Sequence, residues 1–312
     1  MDFIEKKMKI FVTGATGKIG KKITRLLVEN RYSVVALYRD KKRIFLKDKI
    51  EWVKGDLLDL PKKASEWLKE CDLIVHMAGK LGMFDRDCLR VNVEGTKKLL
   101  LSIDGGKRIR FIYFSSIDAF GTTGKKQVNE KDTALPYCVY GKSKLLAEKA
   151  IVNYRKKHKS FSYVILRLGN VAGFGGEDLL SCLYSIKKKN FLLKKILIGL
   201  FGENELNIVC INDIKRVFLQ VIKKKKYKNR VRFLTGKNVS LLMLVSGSSG
   251  SFLFKCFKIV LLCLMKVSRR GGFYYYLGAG GVLRPYRRYS NKIYEELKVK
   301  LKNECINNNS NL

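Results

Sequence analysis

The sequence predicts an α/β fold: a doubly wound parallel sheet with a smaller lobe drawn from the C-terminal part of the chain. Three observations lead there. Short apolar runs alternate with amphipathic stretches through the first half of the chain, the pattern of parallel strands joined by right-handed helical crossovers. The first of these runs opens into a turn carrying three glycines, Gly14, Gly17 and Gly20, set three residues apart. Finally, 312 residues with 46% apolar and 29% charged content can bury one large core and leave material for a second lobe.

Ile10, Phe11 and Val12 read as a short buried strand, and Ile19, Ile23, Leu26 and Leu27 then recur at helical spacing. A strand, a glycine turn and a helix form the first unit of a dinucleotide-binding fold. There the free N–H groups and partial positive charge of a helix N-terminus face a pyrophosphate. Glycine serves where the turn is tight, where backbone nears phosphate, and where helix meets strand. A glycine-rich turn that holds no ligand is the alternative. Further strands are expected in residues 32–40, 50–59, 72–79, 108–116 and 161–171, with helices over 60–70, about 88–103 and 143–158. Such a sheet binds ligand beyond the carboxyl ends of its strands, where the glycine turn would lie.

Two places carry further chemistry. The second strand ends "YRD": a guanidinium at Arg39 suits a 2′-phosphate and favours NADP, whereas Asp40 could bond ribose hydroxyls and keeps NAD open. An ordinary charged loop is the third reading. Later, "YGKSK" sets Tyr140 and Lys144 four apart at a helix start, so both project from one face. A tyrosine ordinarily titrates near ~10, and an ammonium one turn away favours the phenolate and draws it toward working pH. Ser115 and Ser116 end the fifth strand at the carboxyl edge, where a hydroxyl can hold a substrate oxygen. Tyr-x-x-x-Lys alone is weak; behind the glycine turn and the serine pair it gains meaning.

Composition narrows the classes. Eight scattered cysteines without a Cys-x-x-Cys pair, and only His76 and His158, predict reduced thiols acting as small apolar residues and no metal site. The charged N-terminus predicts no signal peptide and a cytoplasmic protein. A net charge of +37 invites a nucleic-acid reading. The lysines are spread along the whole chain, and the runs at 187–189 and 223–226 lack interleaved aromatics. A solvated lysine-rich surface is therefore expected and no nucleic-acid partner, with anionic membranes or polyanions as the alternative.

The C-terminal part is less regular. "SGSSGS" at 246–251 reads as a linker, and 252–267 is too short and lysine-interrupted to span a bilayer. That stretch suits either a helix capping the second lobe or one lying on an anionic membrane. "GGFYYYLGAGG" could line a pocket or a contact, and the tail from about 303 is polar and expected to be disordered. The domain expectation is 1–170 for the sheet domain and 171–312 mainly for the second lobe. About 196–236 would partly rejoin the sheet through "NIVCINDI" and "RVRFLTG".

With these residues in place, the chain resembles the extended short-chain dehydrogenase/reductases, the NAD(P)-dependent epimerase/dehydratase group, from about Met8 to Gly236. "VTGATGKIG" is similar to that group's glycine motif, "GDLLD" to its adenine-side segment, "HMAG" to its strand-four turn and "VNVEGTKKLL" to its fourth-helix motif. "FSSIDAFG", "YGKSK", "LRLGNVAG" and "CINDI" resemble its serine, tyrosine–lysine, asparagine and structural aspartate motifs, and "YSNKIYEELKVKLK" its closing helix. The resemblance implies a Rossmann-type fold and a substrate-binding second lobe. It implies cofactor contacts from Gly14, Thr16, Gly17, Lys18, Ile19 and Gly20, and from Asp56, Leu57, Met77, Ala78 and Gly79. Tyr140 and Lys144 would touch the cofactor too, with Ser116, Tyr140 and Lys144 catalytic and Ser116 and Asn170 near substrate.

The implied activity is NAD(P)-dependent chemistry on a nucleotide sugar or related hydroxyl or carbonyl compound, with a homodimer left open. Departures keep a second branch open. No basic residue lies between Glu203 and Asp213, where related epimerases often clamp a diphosphate, and Leu168 replaces a common proline. These features look closer to dihydroflavonol-reductase and 3β-hydroxysteroid-dehydrogenase-like proteins, which act on less polar substrates. A non-catalytic dinucleotide sensor or scaffold is the reading of another class, and the complete Ser116/Tyr140/Lys144 set argues against it.

Overall fold

The structure, a computed structural model, describes residues 8–82, 85–103, 106–121, 127–174, 205–240 and 288–307. The expectations for the linker at 246–251, the basic stretch at 252–267, the aromatic–glycine stretch at 271–281 and the last five residues lie outside them.

β1 (Lys9–Thr13), β2 (Ser33–Tyr38), β3 (Glu51–Lys54), β4 (Leu73–His76), β5 (Arg110–Ser116), β7 (Ser162–Leu168) and β10 (Arg230–Leu234) form a seven-stranded sheet in the order β10-β7-β5-β4-β1-β2-β3. The pairings β1–β2, β2–β3, β1–β4 and β4–β5 are parallel. The order reverses between β1 and β4, the crevice where such sheets take ligand. β1, β4, β5 and β7 are buried on both faces almost throughout, which is why their sequences are continuous apolar runs rather than alternating ones. α1 (Lys18–Glu29) buries Ile23, Leu26 and Leu27, and α2 (Lys62–Glu70) begins after Pro61, where a missing N–H costs nothing.

α3 (Asp87–Leu89) passes through a π-helical turn (Arg90–Glu94) into α4 (Gly95–Leu101). α5 (Val139–Lys157) starts four residues earlier than its apolar periodicity suggests, because Cys138 caps it through Gly141 N–H, and this brings Tyr140 into the first turn. The strands expected at 50–59 and 72–79 are shorter than the apolar runs. They stop at Lys54 and His76, and the chain then turns along the sheet's carboxyl edge.

The chain divides into two compact units. The first holds Met1–Thr122, Thr133–Arg167 and Lys215–Arg232, and the second Thr123–Asp132, Leu168–Ile214 and Phe233–Leu312. Within the second unit, β8 (Asn170–Ala172), β9 (Glu205–Cys210) and β11 (Lys237–Ser240) make a three-stranded sheet, and β6 (Gln127–Val128) pairs with β12 (Arg288–Tyr289). Of the two segments expected to return to the main sheet, "RVRFLTG" supplies its edge strand β10, whereas "NIVCINDI" pairs with β8 and β11 before α6 (Ile211–Lys223).

At the start of the tail, the buried Asp213 carboxylate accepts from Lys302 and Asn303 N–H, and the chain continues into α8 (Glu304–Asn307), after α7 (Lys292–Leu297). One expectation fails in this unit: not all cysteines are free thiols, since Cys210 and Cys305 are disulfide-bonded, while Cys71, Cys88 and Cys138 are buried and free.

In the first unit, one buried ion pair fastens α5 to β7 and β5. Arg167 grips Glu148 through both Nε and Nη2, at 2.7–3.2 Å, and Ser115 Oγ donates to Glu148 Oε1 at 2.6 Å. Removing one member leaves the other charge buried and uncompensated. Glu148→Ala should therefore lower stability by about 3–5 kcal/mol, measured by urea unfolding.

Candidate active site

The glycine turn is a close three-way contact. Gly14 has φ +74°, and a Cβ there would sit 2.5 Å from the backbone nitrogen of Ala78 at the end of β4. A Cβ on Gly20 would overlap the Gly14 carbonyl oxygen. Gly17 closes the turn by donating its N–H to that same oxygen at 3.0 Å, and it precedes α1 with no side chain capping the helix. Gly17 offers the first N–H groups of this twelve-residue helix no side-chain acceptor, and such a helix start suits an anionic ligand. Thr16 and Ile19 are half-buried and Lys18 exposed around this turn.

At the end of β2, Arg39 Nη1 lies 3.5 Å from Asp56 Oδ2, both side chains being substantially exposed. Asp40 instead caps the short helical turn Lys41–Arg43 by accepting from Lys42 N–H at 3.0 Å. Asp56 holds its own turn through Leu58 N–H, and Leu57 is buried against Gly95. Met77, Ala78 and Gly79 follow β4 directly, Met77 donating to Thr13 O and Ala78 N–H to Thr13 Oγ1.

Beneath these turns runs a buried polar chain. Thr96 Oγ1 donates to Asn92 O at 2.6 Å, so it accepts from His76 Nε2–H at 2.9 Å. His76 Nδ1 then accepts from Thr13 Oγ1 at 2.6 Å. Burial, with a smaller push from Lys144, holds this histidine down at about 3, so it works as a neutral tie between β1, β4 and α4. Asn92, in the π-helical turn, accepts from Lys80 N–H and donates to Lys80 O and to Ser143 Oγ. Ser143 in turn donates to Tyr140 O. Sequence reasoning missed His76 and Asn92 as supports; the signal was a histidine within the apolar β4 run and an asparagine on the buried face of the helical turn that leads into α4.

Tyr140 is half-buried in the first turn of α5, and Lys144 one turn on is almost fully buried. Lys144 Nζ donates to Phe114 O at 2.7 Å and lies 4.2 Å from the centre of the Tyr113 ring. Burial, partly offset by Glu148, lowers its pKa from 10.5 to about 7. Tyr113 is buried with an unbonded hydroxyl, pushed well above its ordinary pKa by burial and then by Tyr140 and Glu148. Ser116 is half-buried and accepts from Asp118 N–H at 3.1 Å, whereas Ser115 is committed to Glu148. The first unit thus carries the glycine turn, the Arg39/Asp56 pair, the 77–79 turn, Ser116, Tyr140 and Lys144. Asn170 lies in the second unit on β8, its Nδ2 donating to Asn207 O at 3.0 Å.

Comparison with known proteins follows the same outline. The NAD-dependent epimerase/dehydratase family model matches residues 10–233. The chain belongs to the NAD-dependent epimerase/dehydratase family. As an extended short-chain dehydrogenase/reductase, it is similar to a putative UDP-glucose 4-epimerase of Methanocaldococcus jannaschii, 27% identical over 249 residues, 74% of this chain and 78% of that one. It is also similar to a putative dihydroflavonol 4-reductase of Synechocystis, 35% identical over 122 residues, 38% of this chain and 35% of that one. Among solved folds, UDP-glucuronic acid 4-epimerase from Bacillus cereus, in complex with UDP-glucuronic acid and NAD, matches with TM-score 0.62 and 24% identity over 78% of this chain and 85% of that one.

The residues of this family member fit a dinucleotide: the turn admits no side chain at Gly14 or Gly20, and the N-cap of α1 is a glycine with no side chain to cap it. Among the described residues no group of three or more His, Cys, Asp or Glu is arranged for a metal, and no helix is long and apolar enough to cross a membrane.

The lowered Lys144 pKa has a thermodynamic signature. Between about 7 and 10.5 the unfolded chain holds the proton that the folded chain has released, so folding stability rises with pH across that window. Compared with Lys144→Met, the wild type should gain stability as pH is raised through this range, read from paired urea titrations. A pH-independent difference would show that Lys144 titrates normally.

Proposed function

We propose that the protein is an NAD(P)-dependent epimerase/dehydratase-type oxidoreductase acting on a carbinol or carbonyl carbon of a nucleotide sugar or a related compound. The observation that carries this reading is Lys144, buried one turn from Tyr140 and fixed to the end of β5 by Phe114 O. Gly14, Gly17 and Gly20, with the N-terminal end of α1, would hold the pyrophosphate. Thr16, Lys18 and Ile19 would line the same turn, with Asp56, Leu57 and the 77–79 turn toward the adenosine. A nicotinamide cofactor bound there supplies hydride acceptance and donation.

Everything else falls to the chain. Tyr140 accepts a proton from, or returns it to, the substrate oxygen. A protonated Lys144 favours the phenolate, and deprotonation of Lys144 near neutrality makes that help pH-sensitive. Ser116 holds the substrate oxygen, its hydroxyl hydrogen remaining available while its oxygen caps Asp118. The second unit would receive the substrate, with Asn170 on its β8 strand as one contact. Tyr140→Phe should leave cofactor affinity nearly unchanged and lower turnover by ~10²-fold or more, the loss expected for a positioned acid/base. Full activity in that variant would overturn the assignment.

The similarity to the reductase and the absence of a basic residue between Glu203 and Asp213 support a second reading, reduction of a less polar ketone. Turnover screens with UDP- and dTDP-sugars against apolar ketones separate the two. For the cofactor, the exposed Arg39 supports NADP over NAD. Arg39→Ala should weaken NADPH binding by roughly 1–3 kcal/mol, a charged hydrogen bond, and hardly alter NADH. Equal losses would remove Arg39 from phosphate recognition.

A further inference from the structure

A second cleft opens at the other end of the main sheet. It measures about 990 Å³ and is lined where strands begin: Met8 before β1, Leu73 opening β4, Arg110 opening β5 and Ser162 opening β7. The glycine turn, Gly79 and Ser116 lie at the carboxyl ends of these strands. A seven-residue strand such as β5 separates the two ends by roughly 20 Å.

The lining is strongly cationic. Arg108, Arg110, Arg155, Lys159, Lys225, Lys226 and Lys228 face one carboxylate, Asp72, which is engaged by Lys9 N–H. Among the described residues, none of these seven cations has a carboxylate within ion-pair distance. Elsewhere in the same unit lysines do find carboxylate partners, as Lys9 does with Glu70, Lys63 with Glu51 and Lys80 with Asp85 and Asp87.

The cleft is also held in shape. Arg110 donates to the carbonyls of Ile222, Lys224 and Tyr227, fastening the lysine-rich loop after α6 to β5. Asn229 ties its far end to Tyr163 in both directions, N–H to O and N–H to Oδ1. Arg110 and Arg155 each keep an Nε–H that is shut off from solvent without an acceptor. Burial lowers the Arg110 pKa to about 10, so its charge is held at a cost that a nearby anion would offset.

We propose that this cleft is a binding site for a small anion bearing two or more phosphate groups, separate from the dinucleotide turn. Guanidinium and ammonium groups that have no carboxylate partner, set around a concavity, suit several phosphates at once. The volume is that of a small-molecule site. Phe161 is the lone aromatic in the lining and is buried, so no platform exists for stacking bases. A flat membrane would meet the exposed lysines and Arg108 but not the half-buried Arg110 and Arg155. Lys225 and Lys226, from the 223–226 run read in the sequence as plain solvated surface, form with Lys228 one wall of this site.

Inorganic tripolyphosphate is the probe, titrated calorimetrically into the full-length protein at about 0.15 M salt with NAD present at saturation. The expected result is one saturable site per chain. Lys226→Gln/Lys228→Gln, which changes exposed side chains only, should weaken binding by about tenfold or more. Lys62→Gln/Lys97→Gln, which removes the same charge away from the cleft, should change it less than about twofold. Equal weakening in both variants would reduce the effect to diffuse attraction by a basic protein and overturn the proposal. So would loss of binding when NAD is added, which would put the phosphates in the glycine turn. Tighter, Lys226- and Lys228-dependent binding of a single-stranded oligonucleotide would replace the proposal with a nucleic-acid surface.

Discussion

Everything at the ligand edge of the main sheet depends on how closely three backbones approach one another at Gly14. Its left-handed φ turns the chain out of β1, its α-carbon faces the Ala78 backbone beyond β4, and its carbonyl sits where a side chain on Gly20 would have to go. This fixes α1 against the two strands that flank the reversal of strand order. A methyl group at either glycine would push helix and strand apart, and the start of α1 would no longer face the crevice.

A second constraint works from below. The carboxyl ends of β1 and β4 would be ordinary apolar strand ends were it not for Thr13, His76 and Thr96, whose bonds leave a single consistent direction for every proton. The neutral histidine adds no charge beneath Lys144, which already pays for burial with a lowered pKa. Asn92 extends the same fabric to α5 through Ser143. The Tyr140 backbone is thus tied to β4's turn as well as to its own helix.

Much of this was legible in the sequence because the signals are local. Glycine spacing, strand–helix alternation and Tyr-x-x-x-Lys each depend on residues a few positions apart, and the sheet, its order-reversing crevice and the first turn of α5 follow from them. What escaped depended on partners far along the chain. Asp213 orders residues 302 and 303 across almost ninety positions, so a polar tail looked featureless. Arg110 reaches the end of α6 across more than a hundred, which turns a run of lysines into a fixed wall. Glu148 and Arg167 stand 19 positions apart on a helix and a strand, and only packing makes them one buried pair.

The bond between Cys210 and Cys305 changes the connectivity of the molecule as well as its packing. With a separation of 95 residues, it turns α6, β10, β11, α7 and the intervening sequence into one covalent ring. A protease that cuts the backbone once anywhere inside that ring produces no smaller species. The nicked chain keeps its mass apart from a water molecule and runs as two pieces only after a reductant opens the sulfur link.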